Sequence, residues 1–357
     1  MTQPARGLLA SIIVMAIALA YISLFDLGTF LGWVAFFMLG LIPMQVVAVV
    51  IWGGNPSFAS RLPQPLKGVV LTLVTVIAAV VATALAHRVV GEGVSPPGPI
   101  PSHFVVSVVP ITFWLSIMFG GWPFTRLIKS PIGAGLAVLV AAYVLMYAGF
   151  RLFYDYDFMQ GAPVYLASAP HGMFNAVTAL VFVVTALAAM FLMLCFDLWP
   201  LNQWPAIMTQ PTLGLVWTAI AAAIAGVVMW ICVGTLGMDP MIVLTRVTAP
   251  FIFGSIIVLN MLQNSLFAKM AQPVKGVLNA VAAAVIGVAL ANLYGALAPS
   301  VAGTLVSGPP GYDYEVWLVN ALLSVTFPFL IYHAVFFEYW PLPPRESAAA
   351  VHSSSRT

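Results

Sequence analysis

The sequence predicts an all-α polytopic integral membrane protein of about ten transmembrane helices with parallel internal helical-hairpin repeats. Three observations carry that expectation. The 357 residues are 62% hydrophobic and only 6% charged, and the mean hydropathy of +1.06 is far above that of a water-soluble fold. Ten apolar runs are long enough to cross a bilayer core of about 30 Å as helix. One ordered series of short motifs occurs twice along the chain.

The first run, near 7–25, follows Arg6 and holds Ala18-Leu19-Ala20, which resembles a signal-peptide cleavage site. The apolar runs that come next make a retained span the simpler reading. The second run covers 28–52. The third, 66–89, is entered through PQPLKGV at 63–69, and the fourth, 103–121, runs into GGWPF at 120–124. The fifth spans 132–153 after a Ser-Pro step. The sixth, 172–197, closes on FDLWPL at 196–201, and the seventh, 212–236, is led by Gln-Pro. The eighth covers 240–264. The ninth, 274–297, is entered through AQPVKGV at 271–277, and the tenth, 315–338, ends in EYWPL at 338–342. The stretch 156–170 is open to a re-entrant course, and 343–357 reads as a flexible cytoplasmic tail. The rest, 1–342, is one transmembrane domain.

The QPxKG, Pro-Pro-Gly and Trp-Pro series gives two repeat-like portions, about 28–124 and 240–342. They are six spans apart, an even number, so the copies are expected to be parallel. Basic residues orient the chain. With a cytoplasmic N-terminus, Arg6, Arg61, Lys67, Arg126, Lys129, Lys269, Lys275, Arg345 and Arg356 all fall on the cytoplasmic side, whereas only Arg88 and Arg151 border the other. The expected location is therefore a bacterial inner membrane with both termini cytoplasmic.

Two aromatic-acidic knots, FYDYDF at 153–158 and GYDYEV at 311–316, then face the same outer compartment. In an extended segment, carboxylates two residues apart point the same way, and on a helix they diverge. Each pair therefore suits cation binding if extended, and helix capping with interfacial tyrosines if helical. His87, His103 and His171 are expected at a similar depth, so a metal set is drawn from His87, His103, His171, Asp155, Asp157, Asp313 and Glu315. No HExxH or comparable ligand spacing accompanies them. Arg151 is an expected salt-bridge partner of the first knot.

Within the spans, Arg246 sits roughly one and a half turns into the eighth run, where a charge needs a partner or a wet cavity; Asp239 or a knot carboxylate could supply one. Asn260, Gln263 and Asn264 fall on one side of the same run if it stays helical. With Asn320 and His333, these residues outline an expected polar path, although helix-to-helix hydrogen bonding accounts for them equally well. The residues His171, Asp155 and Asp157 are the expected catalytic set if the chain is an enzyme.

Several classes are excluded. No GxxxxGK[ST] loop is present for a nucleotide, no glycine-flanked serine elbow for a hydrolase, and no CxxCH for covalent haem. Cys195 and Cys232 lie in apolar runs and form no metal or redox motif. The net charge of +2, with no basic stripe, excludes nucleic acid as a partner. Three readings stay open: a carrier or channel-like protein for a small solute or ion, a membrane redox enzyme or subunit handling a quinone or metal with an electron-transfer partner, and a structural subunit of a membrane complex. The partners follow as membrane lipid with a solute, a quinone or a second subunit, in a homo- or hetero-oligomer. Residues alone leave the cofactor unknown.

Overall fold

The computed structural model describes residues 3–343; of the polar tail expected over 343–357, all but the first residue lies outside the described residues. The fold is mostly α-helical, and ten helices have the length and composition of membrane spans. They are α1 (Ala5–Ile22), α2 (Leu27–Ile51), α3 (Leu66–Val89), α4 (Pro99–Met118), α5 (Pro131–Phe153), α6 (Ala176–Cys195), α7 (Thr212–Thr235), α8 (Pro240–Met261), α9 (Val274–Ala302) and α10 (Asp313–Phe336). All ten apolar runs are helices. The expected start of the sixth run moves from 172 to 176, because residues 174–175 are extended and Asn175 caps the helix, its Oδ1 accepting from the amides of Val177 and Thr178.

The spans divide into two layers. The even-numbered helices are mostly buried, at 78, 67, 61, 72 and 61% of their most apolar windows from α2 to α10, against 17–39% for the odd-numbered ones. Each even helix touches the next, α2 to α4, α4 to α6, α6 to α8, α8 to α10, and α10 back to α2. This closes an inner ring of five. Each odd helix lies outside it in the groove between two even ones: α1 on α8 and α10, α3 on α10 and α2, α5 on α2 and α4, α7 on α4 and α6, and α9 on α6 and α8. The outer helices turn Ile12, Ile17, Leu73, Ile77, Val140, Leu215 and Val285 to the surroundings, as a lipid-facing surface would.

The corner after every even helix has the same backbone. Two successive residues take positive φ: Gly53-Gly54 after α2, Gly120-Gly121 after α4, Asp197-Leu198 after α6, Gln263-Asn264 after α8 and Glu338-Tyr339 after α10. Left-handed residues at a helix end redirect the chain while the last carbonyls find amide partners. Gly54 N donates to Ala48 O, Gly121 N to Leu115 O, Asn264 N to Val258 O and Tyr339 N to His333 O. Ahead of these corners, α2, α4, α8 and α10 widen into π-type turns at 47–51, 114–118, 257–261 and 332–336, whereas α6 stays α-helical to its end. In three of them a proline, Pro43, Pro110 or Pro328, stands four residues before the wide turn; its missing N–H frees the carbonyl one turn before the proline, and α8 widens without a proline at that spacing.

The odd helices lock onto these corners through the Gln-Pro motif at their starts. Gln3 Nε2 donates to Met261 O at 3.4 Å, Gln64 Nε2 to Phe336 O at 2.8 Å, Gln210 Nε2 to Met118 O at 2.8 Å and Gln272 Nε2 to Asp197 Oδ2 at 2.9 Å. In the first three the amide satisfies a carbonyl that a helix end leaves orphaned. A glycine follows shortly in each motif, and a Cβ there would run into the partner corner: Gly68 into Phe337, Gly214 into Phe119 and Gly276 into Phe196. Helix α5, entered through Ser130-Pro131, keeps the pattern with Gly135 against Trp52. Two basic residues complete the docking, with Lys67 Nζ 2.6 Å from Glu338 Oε1 and Lys275 Nζ 2.7 Å from Asp197 Oδ2. Arg6 instead stacks on the Tyr339 ring, 4.6 Å from its centroid, and donates to Glu338 O.

The face with these corners and both ends of the described chain is called the terminal face. The odd-to-even connections make the opposite, distal face. The longest of them, 154–175, holds two short parallel strands, β1 (Tyr154–Asp155) and β2 (Phe174–Asn175), with Tyr154 paired to Phe174 and Asp155 to Asn175.

Candidate functional site

The inner ring surrounds a cavity of about 560 Å³ at its distal end. All five even helices contribute: Gly32, Phe36 and Leu39 from α2, Ser102, His103 and Val106 from α4, Leu180 from α6, Met241 and Leu244 from α8, and Val316, Val319 and Asn320 from α10. The proline-rich loop 95–98 and residues 163–166 of the long connection close its sides. Most of the wall is therefore apolar, with Ser95, Ser102, His103 and Asn320 as its polar points, a composition typical of small-molecule sites. Asn320 is itself held, donating to Val316 O at 2.8 Å and accepting from Ser324 Oγ at 2.7 Å.

Toward the terminal face the axis narrows to a void of about 40 Å³, lined wholly by apolar side chains from the same five helices. Leu39 and Val106 line both spaces, so the two are neighbours along the axis. Phe113, Phe191 and Phe327 fill the belt, with ring centroids of Phe113 at 5.6 Å from Phe191 and 6.4 Å from Phe327. Water gains no hydrogen bonds in such a belt.

Beside the cavity mouth, the first aromatic-acidic knot forms the expected alternation. Tyr154 and Tyr156 turn inward and are fully buried, while Asp155 and Asp157 turn out. Tyr154 Oη bonds to Ser107 Oγ at 2.8 Å, and Tyr156 Oη to His103 Nδ1 at 2.9 Å. Burial pushes the Tyr154 hydroxyl up to about 12, against the lowering effect of Ser107, and raises Tyr156 well above the ordinary phenol value with help from Tyr154. Both tyrosines are neutral hydrogen-bonding groups at any physiological pH. Outside, His171 Nδ1 meets Asp157 Oδ1 at 2.5 Å, Asp157 N donates to Asp155 Oδ1 at 3.1 Å, and His171 bridges Asp155 through the backbone. Ligand atoms of Asp155, Asp157 and His171 lie within 4.8 Å of one another. The group is open to solvent, with the Asp157 and His171 side chains each about half exposed.

The wider metal set does not assemble. Among the described residues, only Asp155, Asp157 and His171 form a ligating group. His103 is engaged by Tyr156 on the inner side of the knot, and His87 lies with its ring 5.3 Å from Trp33. Asp313 and Glu315 sit in the first turn of a helix, so their carboxylates diverge. Glu315, 2% exposed, accepts from Ser307 Oγ at 2.5 Å and Gly308 N at 3.1 Å, tying down the 303–312 connection. The two knots thus share a face but not a space. The expected partner of the first knot is also different: Arg151 Nη1 donates to Ser168 O at 2.6 Å, not to a carboxylate. Ser168 N in turn donates to Glu92 Oε1 at 2.7 Å, and the Ser168 side chain together with that amide lowers the carboxyl.

The expected polar path is likewise broken up. Helix α8 ends at Met261, and Gln263 and Asn264 lie in the left-handed corner beyond it, so the helical spacing that aligned them with Asn260 does not exist. Asn264 Oδ1 accepts from Asn279 Nδ2 at 2.7 Å, between corner and outer helix, while the carbonyl of Asn260 accepts from Tyr339 Oη at 3.1 Å. His333 stands near the α10 corner, its ring 5.8 Å from Tyr339. Of the six path residues only Asn320 lines the axial cavity. Arg246 faces a separate space outside the ring, and Asp239 binds Tyr312 Oη at 2.7 Å instead of Arg246.

Leu39, Val106 and Phe113, which shape the axis, were not distinguishable in the sequence, being apolar residues in apolar runs. The chain matches no protein-family model, no curated protein and no solved structure.

Proposed function

We propose that the protein is a membrane carrier or channel-like protein in which five helical hairpins, α1–α2 to α9–α10, stand around one axis, and that a small solute or ion enters the axial cavity from the distal face. The observation that carries this reading is the cavity itself: all five inner helices line it, and an apolar belt lined by the same five helices lies next to it on the same axis. The repeat is supported by the five left-handed corners and by the regular docking of each odd helix two hairpins away. The path runs inside the ring, not along the polar face of α8. The excess of basic residues at the terminal face supports placing that face in the cytoplasm of a bacterial inner membrane. Reconstitution into liposomes tests the reading: Asn320→Trp, which fills the cavity, is expected to abolish solute uptake while the protein stays folded, and unchanged uptake would contradict it.

A second reading rests on the Asp155, Asp157 and His171 group. Two carboxylates and an imidazole suit a divalent transition metal, and a metal there would favour redox or hydrolytic chemistry at the distal face. Elemental analysis of natively purified protein decides it. This reading expects about one metal per chain, lost in His171→Ala; protein without metal that folds normally would count against it.

A further inference from the structure

Helices α8 and α9 cross in direct backbone contact, where a Cβ on Gly254 would strike Ala283 O and one on Gly287 would strike Pro250 O. Distal to the crossing α9 leans toward α10, with Tyr294 Oη bonded to Thr326 Oγ1 at 2.8 Å. The three helices leave between them a cavity of about 420 Å³, outside the inner ring. Arg246, Asn292, Tyr314 and Glu315 line it, one or more from each helix. Arg246 and Asn292 are exposed, so the space opens sideways from the bundle, at the level of the spans.

Arg246 is unmatched there. Asp239 is occupied by Tyr312 Oη and by the amide of Met241, which it caps. Glu315 has its two oxygens on Ser307 Oγ and Gly308 N. Among the described residues, the ion pairs are Lys67–Glu338, His171–Asp157 and Lys275–Asp197, and none includes Arg246. A guanidinium roughly one and a half turns inside a span without an anion is costly in a bilayer. A planar fork of donors beside an amide and a phenol is suited to an oxyanion held in a bidentate manner; the Glu315 carboxylate in the same wall has its oxygens on Ser307 and Gly308, and the oxyanion that a bilayer presents to a sideways opening is a phosphate group.

We propose that this lateral cavity is a binding site for a phosphate group, with Arg246 as the charged contact and Asn292 and Tyr314 as neutral donors. The phosphate arrives either on the headgroup of an anionic phospholipid or as the free ion. The sideways opening between helices favours the lipid, whose headgroup would enter the cavity while its chains stay in the bilayer. The site is independent of the axial path and stands if that path carries nothing.

The test is binding to purified full-length protein in detergent, read by native mass spectrometry and by thermal stability, with phosphatidylglycerol, phosphatidylcholine and inorganic phosphate as the three probes. Phosphatidylglycerol bound at least about tenfold more tightly than phosphatidylcholine, with that preference lost in Arg246→Gln and kept in part by Arg246→Lys, supports the lipid source. Equal protection by inorganic phosphate with the same dependence on Arg246 supports the site but assigns it to the free ion. Asn292→Ala and Tyr314→Phe keep the charge and provide a check if Arg246→Gln does not fold; each is expected to weaken binding severalfold. Binding unaffected by any of these substitutions, or no binding of phosphatidylglycerol or of inorganic phosphate to the unmodified protein, overturns the proposal.

Discussion

His103 Nδ1 lies 2.9 Å from the Tyr156 hydroxyl, which joins the wall of the axial cavity to the segment bearing the distal carboxylates. Tyr156 is fully buried, so the bond is shielded from competing water. Tyr156→Phe should cost about 1–3 kcal/mol of stability, because it leaves the imidazole nitrogen without a partner. It should also loosen the cavity wall. Thermal unfolding in detergent reads the first effect, and labelling of Ser102→Cys by a thiol reagent reads the second.

The corner ion pairs predict a pH dependence. Partial burial pushes the Asp197 carboxyl up, but the hydrogen bonds from Lys275 and Gln272 and the Lys275 charge outweigh it and hold the group below the usual carboxylate range. A carboxyl depressed in the folded state adds stability above its unfolded value, near 3.9, and that stability is lost as pH falls through the folded value. Lys275→Met should therefore be less stable than the parent at pH 7, by about 0.5 kcal/mol given the solvent exposure of the pair. The difference should close as pH falls through the depressed folded value of Asp197. A constant gap across that range would show that Lys275 acts through packing alone.

The contact of α8 with α9 predicts a sharp contrast between two glycines. Gly287→Ala should destabilise by more than about 2 kcal/mol, since its methyl group meets the backbone of Pro250 and neither helix can yield locally. At Gly226, in α7, a Cβ meets nothing within 4 Å. Gly226→Ala should be stabilising by about 0.5–1 kcal/mol through helix propensity. Unfolding measurements on both variants check the pair.

The spans were legible because each is a continuous apolar run, but their arrangement was not. Helix α2 is 78% buried and α3 28% buried over their apolar windows, yet both are strongly apolar along their whole length; lipid and protein interior select the same side chains, so composition does not separate inner from outer helices. The Gln-Pro entries and Trp-Pro corners were visible as motifs. The five-membered order behind them was hidden, because its shared feature is a backbone conformation adopted by Gly-Gly, Asp-Leu, Gln-Asn and Glu-Tyr alike. At the site, the alternation of Tyr154, Asp155, Tyr156 and Asp157 gave the inward and outward faces correctly. At 312–315 the helical alternative holds, because the helix begins at Asp313 and takes Asp313 and Glu315 into its first turn.

The direct test of the axial path needs no knowledge of the natural solute. If the apolar belt closes a route along the ring axis, polar groups in it should wet the constriction. Efflux of glycerol and of chloride from proteoliposomes is measured for the unmodified protein and for a Leu39→Ser, Phe327→Ser double variant, with folding verified by unchanged elution and melting behaviour. The expected result is a leak at least about tenfold above the parent, suppressed when Asn320→Trp is added. A folded double variant that leaks no more than the parent would contradict it.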